Sequence, residues 1–132
     1  MRAVLDSRFV IELLYSDDSE AKQKTSRKIK ELVQRKEGIL PTIVISETVQ
    51  TICEQLGKEE AEVSYANLTQ SGLRIQPLTS LIAKQAGLLR CKYRNIPMGD
   101  CIIAATAIAN QAAILSDDLH FEAIAEAKRS WI

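Results

Sequence analysis

The chain alternates between short apolar runs and longer stretches in which apolar residues recur every three or four positions. Ala3-Val4-Leu5 is a short run closing on Asp6-Ser7, the pattern of a buried parallel strand with a polar C-terminal end. Asp6 or Ser7 can cap the helix that follows, in which Phe9, Val10, Leu13 and Leu14 recur at helical spacing. Asp17-Asp18-Ser19 breaks that helix and starts another through about Glu37, with Ile29, Leu32 and Val33 as its buried stripe and Gly38 as its stop. Ile39 to Val44 reads as a strand, and Pro41 argues for its end or an edge. Ser46 is then a good N-cap for a helix carrying Val49, Ile52, Cys53 and Leu56. That start sets Glu47 in the first turn, near the positive end of the helix dipole, and Gly57 ends the element.

Lys58 to Ser71 predicts a polar helix with a weak stripe at Ala61, Tyr65 and Leu68. After Gly72, Leu73 to Leu78 alternates as a short strand, and Thr79 caps a helix with Ile82, Ala86, Leu89 and Tyr93 spaced for burial. A loop from Asn95 to Gly99 delivers Asp100 to the run MGDCIIAATAIA, Met98 to Ala109. This run has almost no polar face, so the helix it forms must be buried, with Asp100 at its rim as a cap or first-turn residue. Ala112 to Leu115 is a strand closed by Ser116-Asp117-Asp118, followed by a short helix through Phe121 and Ile124. The tail Lys128 to Ile132 predicts a last edge strand, with Trp131 and Ile132 in the core or at a subunit interface. The alternation of strands and helices predicts a single α/β domain over residues 1–132, a small parallel sheet with helices on both faces.

Composition narrows the setting. With 17 basic and 17 acidic residues the net charge is zero, so no bulk positive field exists to attract a polyanion. Capture of nucleic acid would fall to bound cations or to local basic clusters, Lys22 to Lys36 and Arg90 to Arg94. The longest apolar run, Cys101 to Ala109, is far short of the ~20 residues a membrane span needs. Strand-like sequence from Ala3 leaves no room for a signal peptide. Three cysteines, Cys53, Cys91 and Cys101, show neither metal-type spacing nor an even disulfide count. These features predict a soluble cytoplasmic protein with reduced thiols.

Four acids share a position type. Asp6 and Asp118 each terminate an apolar strand, and Glu47 and Asp100 each open a helix. In a parallel α/β domain strand C-termini and helix N-termini lie on one side of the sheet, so all four can converge on one rim. Like charges gathered there raise each other's pKa and oppose folding. A hard divalent cation such as Mg²⁺ or Mn²⁺ resolves the conflict, although each acid taken alone is as well explained as a helix cap.

VLDSRFVIELL at the start, ISE at Ser46-Glu47, MGDCIIAATAIA and ILSDDLHF resemble the four successive motifs of the PIN-domain nuclease family, which includes the VapC-like toxins of toxin–antitoxin pairs. The resemblance covers nearly the whole chain, and its specificity lies in the ordered set. It implies that Asp6, Glu47, Asp100 and Asp118 form an acidic quartet holding Mg²⁺ or Mn²⁺, with Ser7 and Ser116 as supporting hydroxyls. The spacing to Phe121 places the last motif acid at Asp118, leaving Asp117 as a fifth carboxylate or a solvated turn residue. The implied architecture is a PIN-like domain, a parallel sheet of about five strands sandwiched by helices and often assembled as a homodimer.

The implied chemistry is metal-dependent hydrolysis of RNA phosphodiester bonds by an endoribonuclease with an antitoxin as its protein partner. His120 is the only histidine, which excludes a two-histidine ribonuclease mechanism, and it reads as a surface or capping residue. The alternatives are a non-catalytic RNA-binding or partner-binding module of the same fold, and an RNA-processing nuclease outside toxin–antitoxin systems. A metal-dependent phosphatase of another α/β fold lacks an Asp-x-Asp motif after the first strand.

Overall fold

Three residues, Ala3–Leu5, form strand β1 at the centre of a parallel sheet, and burial on both faces explains why all three are apolar. The computed structural model describes residues 1–131; Ile132, assigned above to the last strand or an interface, lies outside the described residues. After β1 come α1 (Ser7–Tyr15), α2 (Ser19–Arg35), β2 (Gly38–Pro41), α3 (Thr42–Leu56) and α4 (Lys58–Thr69). They are followed by β3 (Arg74–Gln76), α5 (Ser80–Lys92), α6 (Met98–Ala109), β4 (Ala113–Leu115), a 3-10 turn (Leu119–Ala123) and β5 (Arg129–Ser130). The strand order is β3-β2-β1-β4-β5 and every pairing is parallel. Val4 stands in register with Ile39 on one side and Ile114 on the other. The α/β fold with one five-stranded sheet is therefore as the sequence pattern and the motif resemblance led one to expect.

Local chemistry fixes most of the boundaries. Asp6 caps α1 and Asp18 caps α2 through backbone N–H groups, and Thr79 accepts from the Ile82 amide at the start of α5. In α6, Cys101, Ile103, Ala104, Ala105, Thr106 and Ala107 are all buried, the helix packing on β1, β4 and α5. Phe9 and Val10 anchor α1 in the core, and the edge of Trp131 meets the Phe9 ring at 5.7 Å between centroids. Trp131 is 37% exposed and lies outside the buried core, meeting it through the Phe9 ring. Among the described residues no helix is long and apolar enough to cross a membrane.

Two boundaries differ from the sequence expectation. Helix α2 is ended by Lys36 in the left-handed region (φ 56°), and Gly38 instead opens β2. A Cβ on Gly38 would lie 2.5 Å from Leu73 Cδ2, so the glycine is there for close packing of β2. The expected strand over Ile39–Val44 stops at Pro41, and α3 begins at Thr42, four residues before Ser46. Ile43 and Val44 are β-branched, but Val44, Thr48 and Ile52 bury one i, i+4 face, and that packing overrides their strand preference. Ser46 therefore caps nothing; its hydroxyl donates back to the Thr42 carbonyl at 3.4 Å.

Candidate metal centre

Asp6 follows β1 directly and is 2% exposed. Its Oδ1 accepts the Ser7 amide at 2.8 Å, and its Oδ2 accepts the Ser116 hydroxyl at 2.6 Å. Burial still pushes the Asp6 carboxyl above the ordinary carboxylate range, with the charges of Asp100 and Asp118 adding to the effect. The Ser116 hydroxyl in turn accepts the Asp118 amide at 3.0 Å. One serine thereby ties the end of β1 to the turn after β4. Ser7 supports Asp6 mainly through its backbone, since its hydroxyl stands 3.5 Å from Oδ1.

Asp118 starts the 3-10 turn, and its Oδ1 accepts the His120 amide at 2.9 Å. Asp100 sits in the first turn of α6, where Pro97 at the cap position uses no side chain. Its carboxylate is therefore free of capping, and Oδ2 meets His120 Nδ1 at 2.8 Å. Burial raises the Asp100 pKa, opposed by the bond to His120 and reinforced by Asp118. The same bond raises the pKa of the His120 imidazole.

Glu47 reaches the same rim from a different kind of position. It is the sixth residue of α3, a full turn further in than expected, and away from the positive end of the helix. Burial first, and then the charges of Asp6 and Asp100, raise its pKa to about 7, with the Ser7 hydroxyl acting against them. Its Oε1 is buried and has no hydrogen-bond partner among the described residues. Gly99 makes room for it: a Cβ there would lie 2.9 Å from Glu47 Oε2.

Asp6, Glu47, Asp100 and Asp118 are thus close enough for their charges to act on one another. The tightest group is a different one. One donor atom each from Asp100, Asp118 and His120 lie within 4.8 Å of one another, with Asp6 and Glu47 outside that group. Asp117 points elsewhere, pairing with Arg8 Nε at 2.6 Å on the exposed side of the turn. His120, read from sequence as a surface or capping residue, is half-exposed but turns its ring onto the acids. The available signal was its place two residues after the motif acid, within reach of the same rim. A surface concavity of about 590 Å³ along the basic face of α2, at Lys22, Arg27 and Lys30, contains none of the acids.

Clustered, part-buried carboxylates that raise one another's pKa, one with an orphaned oxygen, are compatible with a divalent cation. The donor set is oxygen-rich and hard, with a single imidazole beside it. Among curated proteins none matches this chain. Solved structures with the same fold include VapBC2 from Rickettsia felis bound to a promoter DNA fragment, at 18% identity and a TM-score of 0.81, covering 99% of this chain and 98% of the other. FitAcB from Neisseria gonorrhoeae is similar at 22% identity and a TM-score of 0.74, covering 97% and 96%. Mycobacterium tuberculosis VapC20, a Sarcin-Ricin loop cleaving toxin, is similar at 19% identity and a TM-score of 0.71, covering 93% and 95%. Likeness at these identities speaks to the fold. The family's own sequence pattern speaks to descent: the PIN domain matches residues 3–127, and the chain belongs to the PIN-domain family.

Proposed function

We propose that the chain is a metal-dependent endoribonuclease that hydrolyses RNA phosphodiester bonds, and that it is the toxin of a toxin–antitoxin pair. The observation that carries this reading is Glu47, a half-buried carboxylate whose buried Oε1 has no partner among the described residues, beside Asp6 and Asp100. Such an arrangement suits a cation bound by Asp6, Glu47, Asp100 and Asp118, and Mg²⁺ or Mn²⁺ matches the hard oxygen donors. The ion, when bound, supplies charge neutralisation at the phosphate and activation of a water. Ser116 orients Asp6 and Asp118 together, Ser7 holds Asp6 through its amide, and Asp117 retains Arg8 beside the rim. Phosphates further along an RNA strand would meet the basic clusters of α2 and of the end of α5, near Arg90 and Lys92.

RNA as substrate, and an antitoxin as partner, are supported by the similar structures, among them a Sarcin-Ricin loop cleaving toxin and toxin–antitoxin complexes. A second copy of the chain is a further expected partner, and Leu81 and Leu88, 75% and 56% exposed on α5, are candidates for that contact. The four acids intact in one chain speak against a decayed binding module. The test is cleavage of single-stranded RNA with Mg²⁺ or Mn²⁺. Activity lost with chelator and in a folded Asp100→Asn protein supports the reading; chelator-resistant cleavage, or full activity in Asp100→Asn, overturns it.

A further inference from the structure

We infer that the His120 imidazole is itself a ligand of the ion at this rim, binding through Nδ1 beside Asp100 and Asp118, and that it biases the site toward transition-metal ions over Mg²⁺. The inference rests on the metal reading proposed above and adds one nitrogen to a set of oxygens. Nδ1 stands 2.8 Å from Asp100 Oδ2 and 3.5 Å from Asp118 Oδ1. Adjacent ligands of an octahedral ion with bonds of ~2.1 Å stand about 3 Å apart, so the Asp100 interval matches neighbouring ligands and the Asp118 interval is somewhat wider. All three donor atoms lie within 4.8 Å of one another, and a small side-chain movement would bring them onto one ion.

The chain holds the ring in this place from both sides. The His120 amide donates to Asp118 Oδ1 at 2.9 Å, tying the backbone to one of the two carboxylates, while the ring bonds the other, Asp100. The side chain is 49% exposed, which lets Nε2 carry its proton in water while Nδ1 offers its lone pair. The proton that Nδ1 shares with Asp100 in the ion-free protein leaves to solvent as the ion binds. Imidazole suits ions such as Co²⁺ and Ni²⁺, whose affinities exceed that of Mn²⁺, and it adds little for Mg²⁺, which prefers oxygen.

Because His120 is the only histidine, the measurement is unambiguous in a chain without a histidine tag. Mn²⁺ is added to the full-length protein, its stoichiometry measured, and nitrogen hyperfine coupling to the bound ion sought by pulsed electron paramagnetic resonance. The expected result is imidazole coupling in the wild type and its loss in His120→Ala, which still binds Mn²⁺. Affinity for Co²⁺ and Ni²⁺ should fall about tenfold or more in that variant, with Mg²⁺ affinity little changed. Stoichiometric Mn²⁺ without nitrogen coupling in the wild type, or coupling that survives His120→Ala, overturns the ligand and leaves the acidic site standing. A wild type that binds no Mn²⁺ removes both.

Discussion

The Ser116 hydroxyl donates to Asp6 Oδ2 at 2.6 Å across 110 residues of sequence, and both groups are buried. The same oxygen receives the Asp118 amide, so one atom aligns two acids from different strands. Ser116→Ala should leave a buried carboxylate and a backbone amide short of a partner. The expected loss is about 1–3 kcal/mol at neutral pH, read from the denaturant midpoint, and less in acid where Asp6 is protonated. An equal loss relative to wild type at both pH values would contradict this account of Asp6.

Glu47 gives the metal-free protein a pH dependence of definite sign. Its folded-state pKa is about 7 against an ordinary 4.5, so the folded chain binds the proton more tightly than the unfolded chain does. Its contribution to stability is full below the lower value and is lost as pH rises through the upper one. Asp6 and Asp100, also raised by burial, act in the same direction. In chelator, the thermal midpoint should fall between about pH 5 and about pH 8, and Glu47→Gln should flatten the upper part of that fall. Added Mn²⁺ should restore most at the alkaline end. A flat profile in chelator would show that the acids do not strain the fold.

Gly99→Ala separates folding from ion binding. The new Cβ would meet the free end of the Glu47 side chain, 2.9 Å away, and that end can turn aside. The fold should survive nearly unchanged, while metal affinity drops by about tenfold, as for other residues that orient ligands. Calorimetric titration with Mn²⁺ reads the second effect and thermal unfolding the first.

Ala104 and Asp100 lie one helical turn apart on α6 and should respond in opposite ways. Ala104 is fully buried, so Ala104→Leu overpacks the helix against the sheet and should cost about 1–3 kcal/mol. Asp100→Asn removes a carboxylate whose charge is disfavoured by burial, so its metal-free thermal midpoint should hold or rise while RNA cleavage disappears.

What the sequence made legible follows from which forces are local. The cap at Asp6 or Ser7, the helix start after Asp17-Asp18, the cap at Thr79, the buried run of α6 and the alternation of strands and helices rest on short-range chemistry or on periodicity, and all can be read by eye. The start of α3 depends on Val44, Thr48 and Ile52 finding a shared core face, which no local rule encodes, and Glu47 moved inward with it. Gly38 looked like a helix stop because its true constraint, Leu73, lies 35 positions later in the chain. His120 was passed over since its relation to Asp100 exists only across the gap between α6 and the 3-10 turn.

The sheet order has a consequence for the timing of activity. β1 is made first, yet one of its two neighbours is β4, so a ribosome must finish residues 113–115 before the strand bearing Asp6 is flanked on both sides. Ser116 and Asp118 emerge only after that. A nascent or truncated chain ending within α6 would carry Asp6, Glu47 and Asp100 yet lack the turn that completes the rim. If the chain cuts RNA as proposed, activity on the ribosome would endanger its own message and translation machinery; this topology withholds the centre until the turn after β4 has been made.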